Sequence, residues 1–227
     1  MASQQMITKS PTFCPAPWTS LNIDQTGLVM PCFHTGYELG NIKRIPIQQV
    51  LKDKPINDIR QTMARGEWHE ACAWCKRLEE TTGSSGRTVR YASPETLAAI
   101  DADIDFFKLE HLVVNWSNLC NLTCVYCNDQ TSTAWQSIRK IPINHVKNEH
   151  DDLIELAKTQ GHNIQGLCLG GGEPLLQKGL DVFLSHLNPN TVSVMVTTNL
   201  SMEITTNPIY QILKTWPTVE WMISFDN

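Results

Sequence analysis

An α/β fold is predicted for the second half of this 227-residue chain, preceded by a small α+β cysteine-rich domain. Four short apolar runs predict the sheet: Leu112–Trp116, Gln165–Leu169, Val192–Asn199 and Val219–Asp226. Each closes on a cluster of small or polar residues, as strands do where a loop begins. The cysteines predict the division. Four of the eight lie before residue 80, three lie between Cys120 and Cys127, and Cys168 stands alone. The two domains are placed at residues 1–107 and 108–227, with the break in the segment Tyr91–Phe107.

Composition narrows the setting. Hydrophobic content of 41% and charged content of 18% fit a folded globular protein. No apolar run approaches the ~20 residues that span a bilayer, and Met1–Ser10 lacks the apolar core of a signal peptide. A cytoplasmic location without a membrane partner is expected. In that reducing compartment, closely spaced cysteines point to metal or redox chemistry before disulfides. A formal charge of −5 makes nucleic acid an unlikely main partner, since phosphate binding wants a basic face.

The N-terminal half opens with Phe13-Cys-Pro-Ala-Pro-Trp18 and the alternating stretch Ser20-Leu-Asn-Ile-Asp24. A turn at Gln25-Thr-Gly27 and a second strand, Leu28-Val-Met30, complete a hairpin that brings Cys14 and Cys32 together at its open end. Ile56, Ile59 and Met63 recur at helical spacing. The helix leads through Gly66-Glu-Trp-His-Glu70 to Cys72-Ala-Trp-Cys75, a C-x2-C turn that presents two thiolates to one metal centre. Four thiolates suit either a structural zinc ion or an iron–sulfur cluster. His34 and His69 lie near them in sequence and are read as ordinary histidines, not ligands. Pro94–Ile100 reads as a helix that leads into the first strand of the second half.

The second half carries the sharpest signal. Cys120, Cys124 and Cys127 follow the first strand at C-x3-C-x2-C spacing. Zinc sites usually take four protein ligands in pairs; here one tight loop supplies three and no local fourth. A four-iron cubane on three cysteines leaves one iron open to a small molecule. The second strand ends in Gly171-Gly-Glu-Pro174, with a helix pattern starting at Leu175. The third ends in Thr197-Thr-Asn199 and the fourth in Ser224-Phe-Asp226. Cys168, between Leu167 and Leu169, reads as a small core residue.

These four motifs, in this order and each at a strand's C-terminal end, resemble the radical S-adenosylmethionine (SAM) superfamily. The resemblance implies a (β/α) TIM-like barrel, of which about four strands are present here. The family has further strand–helix units, so the chain is expected to be a fragment, with its fourth strand an edge whose apolar faces are uncovered. The resemblance also implies a [4Fe-4S] cluster on Cys120, Cys124 and Cys127, with SAM bound at the open iron. Reductive cleavage of SAM there yields methionine and a 5′-deoxyadenosyl radical that abstracts hydrogen from an unactivated carbon. Under the same resemblance Tyr126 packs beside the adenine, and Gly171 and Gly172 let backbone approach the SAM ammonium group. Glu173 adds charge complementarity, while Asn199, Ser224 and Asp226 contact the carboxylate or ribose.

The first half resembles the auxiliary-cluster modules called SPASM or twitch domains, on Cys14, Gly27-x4-Cys32 and Cys72-x2-Cys75. A full SPASM pattern has further cysteines after the C-x2-C pair, so the shorter twitch-like form fits better. The module usually follows the barrel; here it precedes it. It implies a second, auxiliary [4Fe-4S] cluster on Cys14, Cys32, Cys72 and Cys75, with zinc as the alternative. Such modules often accompany enzymes that act on a peptide or protein, the substrate expected here. A nucleotide or other small molecule is the second reading, and a scaffold that binds clusters without turnover the third. An electron donor such as flavodoxin or ferredoxin would be the remaining partner.

Overall fold

A computed structural model describes residues 6–144 and 150–225. The chain divides into two compact units, residues 1–22 with 29–110, and residues 23–28 with 111–227.

The expected hairpin forms from β1 (Ser20–Ile23) and β2 (Leu28–Met30), with a two-residue strand β3 (Gly40–Asn41) beside β2. Its turn is set by local chemistry. The Asp24 carboxylate accepts from the Thr26 amide at 2.8 Å and the Leu28 amide at 3.0 Å, and Gly27 takes the left-handed backbone (φ 85°) that the turn requires. The helix predicted from Ile56, Ile59 and Met63 spans Lys54–Ala64 and buries all three. They join Trp18, Leu21, Val29, Val50, Ile100 and Leu109 in one core.

A buried cation sits in that core. Arg60 donates from Nε and Nη2 to the Pro17 carbonyl at 3.2 and 3.0 Å, and its guanidinium lies 5.8 Å from the Trp18 ring centroid. Burial pulls its pKa down to about 10, because no solvent remains to share the charge. Farther along, the helix Pro94–Ala102 starts at Ser93, whose hydroxyl accepts from the Thr96 amide at 3.2 Å.

The second unit contains β4 (His111–Asn115), β5 (Gly166–Gly170), β6 (Ser193–Thr198) and β7 (Val219–Ile223), neighbours in that order. All three pairs are parallel. The register sets Val114 beside Leu169 and Leu169 beside Val196, then Val196 beside Trp221. Strand ends are therefore level, and the loops that follow them gather along one edge of the sheet. The four strands match the four predicted runs within two or three residues.

Burial alternates along the first three strands with the period of two that a pleated sheet imposes. Leu112, Val114, Leu167, Leu169, Val194 and Val196 are buried. With them lie Leu153 and Leu156 of the helix His150–Gln160, and Leu180, Phe183 and Leu184 of the helix Leu180–Ser185. Trp116, just past β4, meets Phe183 edge-on at 5.6 Å. The opposite face, with Val113, Cys168, Met195 and Thr197, is only half-buried. So β4, whose apolar run reads as a buried strand, buries one face and leaves the other half-buried. Likewise Cys168 is half-buried, its sulfur 4.0 Å from that of Met195, instead of deep in the core.

Two further features differ from or extend the expectation. No continuous helix starts at Leu175. A 3-10 turn, Pro174–Leu176, comes first, and the helix begins only at Leu180, after Gly179 in a left-handed conformation (φ 83°). On β7, Met222 and Ile223 are exposed, and Phe225 beyond it is 83% exposed. Asp226 lies outside the described residues.

Candidate functional site

The loop after β4 carries the cysteine triad, and its neighbours hold it by its backbone. Ser117 is buried and hydrogen-bonds through its hydroxyl to Gln177 Oε1 at 2.5 Å. The same hydroxyl accepts from the Leu119 amide at 3.0 Å. Thr133 Oγ1 donates to the Cys120 carbonyl at 3.0 Å, while Trp135 Nε1 donates to the Cys124 carbonyl at 3.0 Å. A turn closes the motif with the Cys127 amide on the Cys124 carbonyl at 3.0 Å. All three cysteines are half-buried, and Tyr126 beside them is 63% exposed.

The Gly-Gly-Glu segment packs directly on this loop. Gly171 (φ 76°) and Gly172 (φ 49°) both take left-handed backbone. A Cβ on Gly171 would stand 2.7 Å from Asn115 Cβ, and one on Gly172 only 2.3 Å from the Leu119 carbonyl oxygen. The close approach these glycines permit is thus to the chain leading into the triad, and the Glu173 amide donates to that same Leu119 carbonyl at 2.8 Å.

Glu173 is 1% exposed and its carboxylate is fully engaged by its own chain. It accepts from the Leu175 amide at 3.0 Å, the Thr198 hydroxyl at 2.6 Å and the Asn199 amide at 2.7 Å. One buried carboxylate therefore ties the loop after β5 to the end of β6. Three donors also offset the cost of burying its charge. Asn199, so placed, points its Nδ2 at Cys120 Sγ at 3.7 Å and at Asn121 Oδ1 at 3.2 Å. Ser224 joins the same edge through its amide, which donates to the Thr198 carbonyl at 2.8 Å. Of the residues expected at the cofactor, Cys120, Gly171, Gly172, Glu173 and Asn199 are linked by direct contacts or a shared neighbour.

Sequence reasoning missed the residues that hold these in place: Ser117, Thr133, Trp135 and Gln177. Gln177 had a readable signal, since it lies one helical turn beyond Glu173. Its Nε2 donates to the Glu173 carbonyl at 2.8 Å and to that of Leu119 at 3.2 Å.

In the first unit a cavity is lined by Cys14, Cys32, Cys72 and Cys75, with His34 and Arg87 also on its wall. Three separate stretches of chain thus deliver four thiols to one place. Burial pushes the Cys14 thiol up to about 11 and the Cys72 thiol up to about 12, and raises Cys32 as well. Their mutual repulsion as thiolates adds to the rise. His69 is occupied elsewhere: its Nδ1 accepts from the Ala71 amide at 3.1 Å and starts the turn Glu70–Cys72. His34 stacks on Phe33 at 3.9 Å between centroids. Among the described residues, no three Cys, His, Asp or Glu side chains surround a point where a single metal ion would sit.

Two family models match. Residues 114–215 match the radical SAM superfamily, and residues 14–76 match SPASM, an iron–sulfur cluster-binding domain. Residues 114–215 are thus a radical SAM domain and residues 14–76 a SPASM domain. Curated relatives named GTP 3′,8-cyclase are similar to part of the chain. The one from Nautilia profundicola is 32% identical over 103 residues, which is 45% of this chain and 29% of that protein. The one from Helicobacter pylori is 30% identical over 105 residues, 42% of this chain and 30% of that protein. A third, from Heliobacterium modesticaldum, is 32% identical over 100 residues, 42% of this chain and 29% of its own length. The chain therefore spans about three tenths of the length of these relatives. No solved structure gives a significant match.

The radical SAM and SPASM domains imply a [4Fe-4S] cluster with SAM and an auxiliary iron–sulfur cluster. The donor sets fit. Thiolates are the ligands such clusters take, and each unit offers a separate set of them, four on one cavity wall and three in one loop. The match to an iron–sulfur domain favours a cluster over zinc at Cys14, Cys32, Cys72 and Cys75. Among the described residues, no helix is long and apolar enough to cross a membrane.

Proposed function

We propose that this chain forms the SAM-cleaving part of a radical enzyme that modifies a peptide or protein. Its working modules are residues 1–107 and 108–227. Cys120, Cys124 and Cys127 hold the catalytic cluster, and Cys14, Cys32, Cys72 and Cys75 hold the auxiliary one. When bound, the first cluster and SAM together supply a 5′-deoxyadenosyl radical that takes hydrogen from an unactivated carbon.

The chain's own residues supply position. Gly171 and Gly172 keep the loop after β5 tight against the triad loop, and their backbone would help hold the amino-acid end of SAM. Glu173 acts through Asn199: its carboxylate fixes the Asn199 amide, which leaves that side chain beside Cys120. Asn199 and Ser224 would contact the carboxylate or ribose of bound SAM, and Tyr126 would cover the adenine. The observation that carries this reading is Glu173, whose carboxylate ties the loop after β5 to the end of β6 through bonds of 2.6 to 3.0 Å and whose amide donates to the Leu119 carbonyl of the cysteine loop at 2.8 Å.

A nucleotide substrate is the second reading, favoured by the relatives named GTP 3′,8-cyclase. The test is 5′-deoxyadenosine formation by anaerobically reconstituted protein under dithionite, with flavodoxin or ferredoxin replacing dithionite in a second series. Each series is run without substrate, with GTP, and with peptide pools. Stimulation by GTP alone selects the nucleotide; stimulation by a peptide fraction selects the first reading. No 5′-deoxyadenosine from cluster-loaded protein under any condition would overturn both.

A further inference from the structure

One guanidinium joins the two stretches of chain that carry three of the four cysteines of the first unit. Arg87 stands on the wall of the cavity that Cys14, Cys32, Cys72 and Cys75 line. Its Nη1 donates to the Phe13 carbonyl at 2.9 Å and the Pro11 carbonyl at 3.2 Å, so it holds the chain just ahead of Cys14. Its Nε donates to Glu79 Oε1 at 2.9 Å, and its Nη2 bonds the same carboxylate. Glu79 belongs to the helix Ala73–Thr82, which also carries Cys75. Residues 75 and 79 share one face of that helix, so the turn that brings Cys75 to the cavity also brings Glu79 to Arg87.

The loop between them fixes the contact. Gly83 ends the helix in left-handed backbone (φ 77°) and turns the chain back. Ser85 Oγ then accepts from the Arg87 amide at 3.1 Å and donates to Glu79 Oε1 at 2.6 Å. The Arg87 guanidinium lies 5.0 Å from the Trp68 ring centroid. Both charged side chains are largely covered, 13% exposed for Arg87 and 16% for Glu79. Cys72 and Cys75 are set by their own turn and helix, and Cys32 follows the β1–β2 hairpin. What remains to be fixed is the reach from Cys14 to the Cys72 and Cys75 pair.

We propose that Arg87 is the positioning residue of the auxiliary centre, setting that reach by clamping the chain ahead of Cys14 to the helix that carries Cys75. The inference rests on the reading of Cys14, Cys32, Cys72 and Cys75 as ligands of an iron–sulfur cluster. A cluster has a fixed size, so thiolates held at its spacing keep it, while thiolates free to drift apart release it. An arginine suits the task because one planar fork serves a carboxylate and two carbonyls at once. A lysine ammonium is a single point charge on a flexible stem.

The test is cluster release to an iron chelator, followed optically on the full chain carrying C120A, C124A and C127A so that only the auxiliary centre reports. Iron, sulfide and zinc are measured on each sample, and the reduced centre is recorded by electron paramagnetic resonance. All samples are held at a temperature where each apo-protein is folded. Arg87→Lys keeps a charge beside Glu79 but loses the fork; it is expected to release the cluster on the order of tenfold faster than the parent, with an altered resonance signal. Arg87→Gln combined with Glu79→Gln, which leaves no unpaired charge, is expected to do the same. Release at the parent rate with the parent signal in both would overturn the proposal, even if the apo-proteins unfold more easily, since that pattern belongs to a role in folding alone. If the double variant fails to fold, Arg87→Lys decides by the same two readings. Zinc in the parent, with no iron–sulfur signal after reconstitution, would overturn the cluster reading itself and is told apart at the metal analysis.

Discussion

The two cysteine sites of this radical SAM chain are built on opposite plans. Cys14, Cys32, Cys72 and Cys75 come from three separate segments and meet at one cavity, where Cys14 and Cys75 are buried and Cys32 and Cys72 half-buried. Cys120, Cys124 and Cys127 come from one loop and remain half-buried. A site drawn from distant segments exists only when its unit is folded, so it is tied to stability. A site carried by one loop can stay open, provided its neighbours hold the backbone. The first plan suits a centre that keeps other molecules out. The second suits one that must admit a cofactor.

The contrast is sharpest in what each site should lose. Replacing Cys120, Cys124 and Cys127 together with alanine should abolish 5′-deoxyadenosine formation and remove about half of an iron content on the order of eight per chain. Apo-protein stability should stay within ~0.5 kcal/mol of the parent, since half-exposed loop thiols bury little. Iron analysis, a SAM-cleavage assay and urea unfolding check all three; a triple variant that still cleaves SAM would refute the assignment.

Next in size is Glu173→Ala. It leaves the Leu175 amide, the Thr198 hydroxyl and the Asn199 amide without their acceptor. A cost of about 3 kcal/mol in the second unit is expected, with SAM cleavage at least tenfold lower. Calorimetry reads the first and product chromatography the second. Gly172→Ala should act through the cysteine loop instead. Its new methyl group would stand 2.3 Å from the Leu119 carbonyl oxygen, so the triad backbone must move. A loss of roughly 2 kcal/mol, and weaker cluster retention at the triad alone, would separate the two sites by iron analysis.

A smaller effect is expected at acid pH from Glu79 in the first unit. Arg87 beside it, and then the Ser85 hydroxyl, hold its carboxyl below the usual carboxylate range against the opposing effect of burial. Its folded pKa is depressed, so its contribution is complete above the unfolded value and fades as pH falls through the folded one. Glu79→Gln apo-protein should therefore be less stable than the parent near neutrality and converge with it in acid. Equal separation at every pH would assign the contact to packing, not charge. Least of all, Cys168→Ala should cost under ~1.5 kcal/mol and leave both clusters intact, because its side chain is only half-buried.

Much of this was legible in the chain. Strand runs, the hairpin at Asp24–Leu28 and the helix through Ile56, Ile59 and Met63 follow from local patterning. The triad was legible because its spacing is short and its residue type rare. Its supports were not: Ser117 meets Gln177 sixty residues away, and nothing in either neighbourhood announces the pair. The role of Glu173 was half legible. Its motif marks a site, but a carboxylate satisfied by Thr198 and Asn199 anchors two loops, where the motif alone suggested a direct charge for the cofactor.

The sequence by itself determined the α/β class and the two groups of cysteines, because periodicity and close spacing are local properties, and its motifs carried the family resemblance. Only the tertiary structure decided which face of β4 is covered, which four thiols share one cavity, and what fills the space beside Gly172. Those depend on which distant segments meet, and hydrophobic burial and hydrogen-bond satisfaction over the whole unit fix that choice.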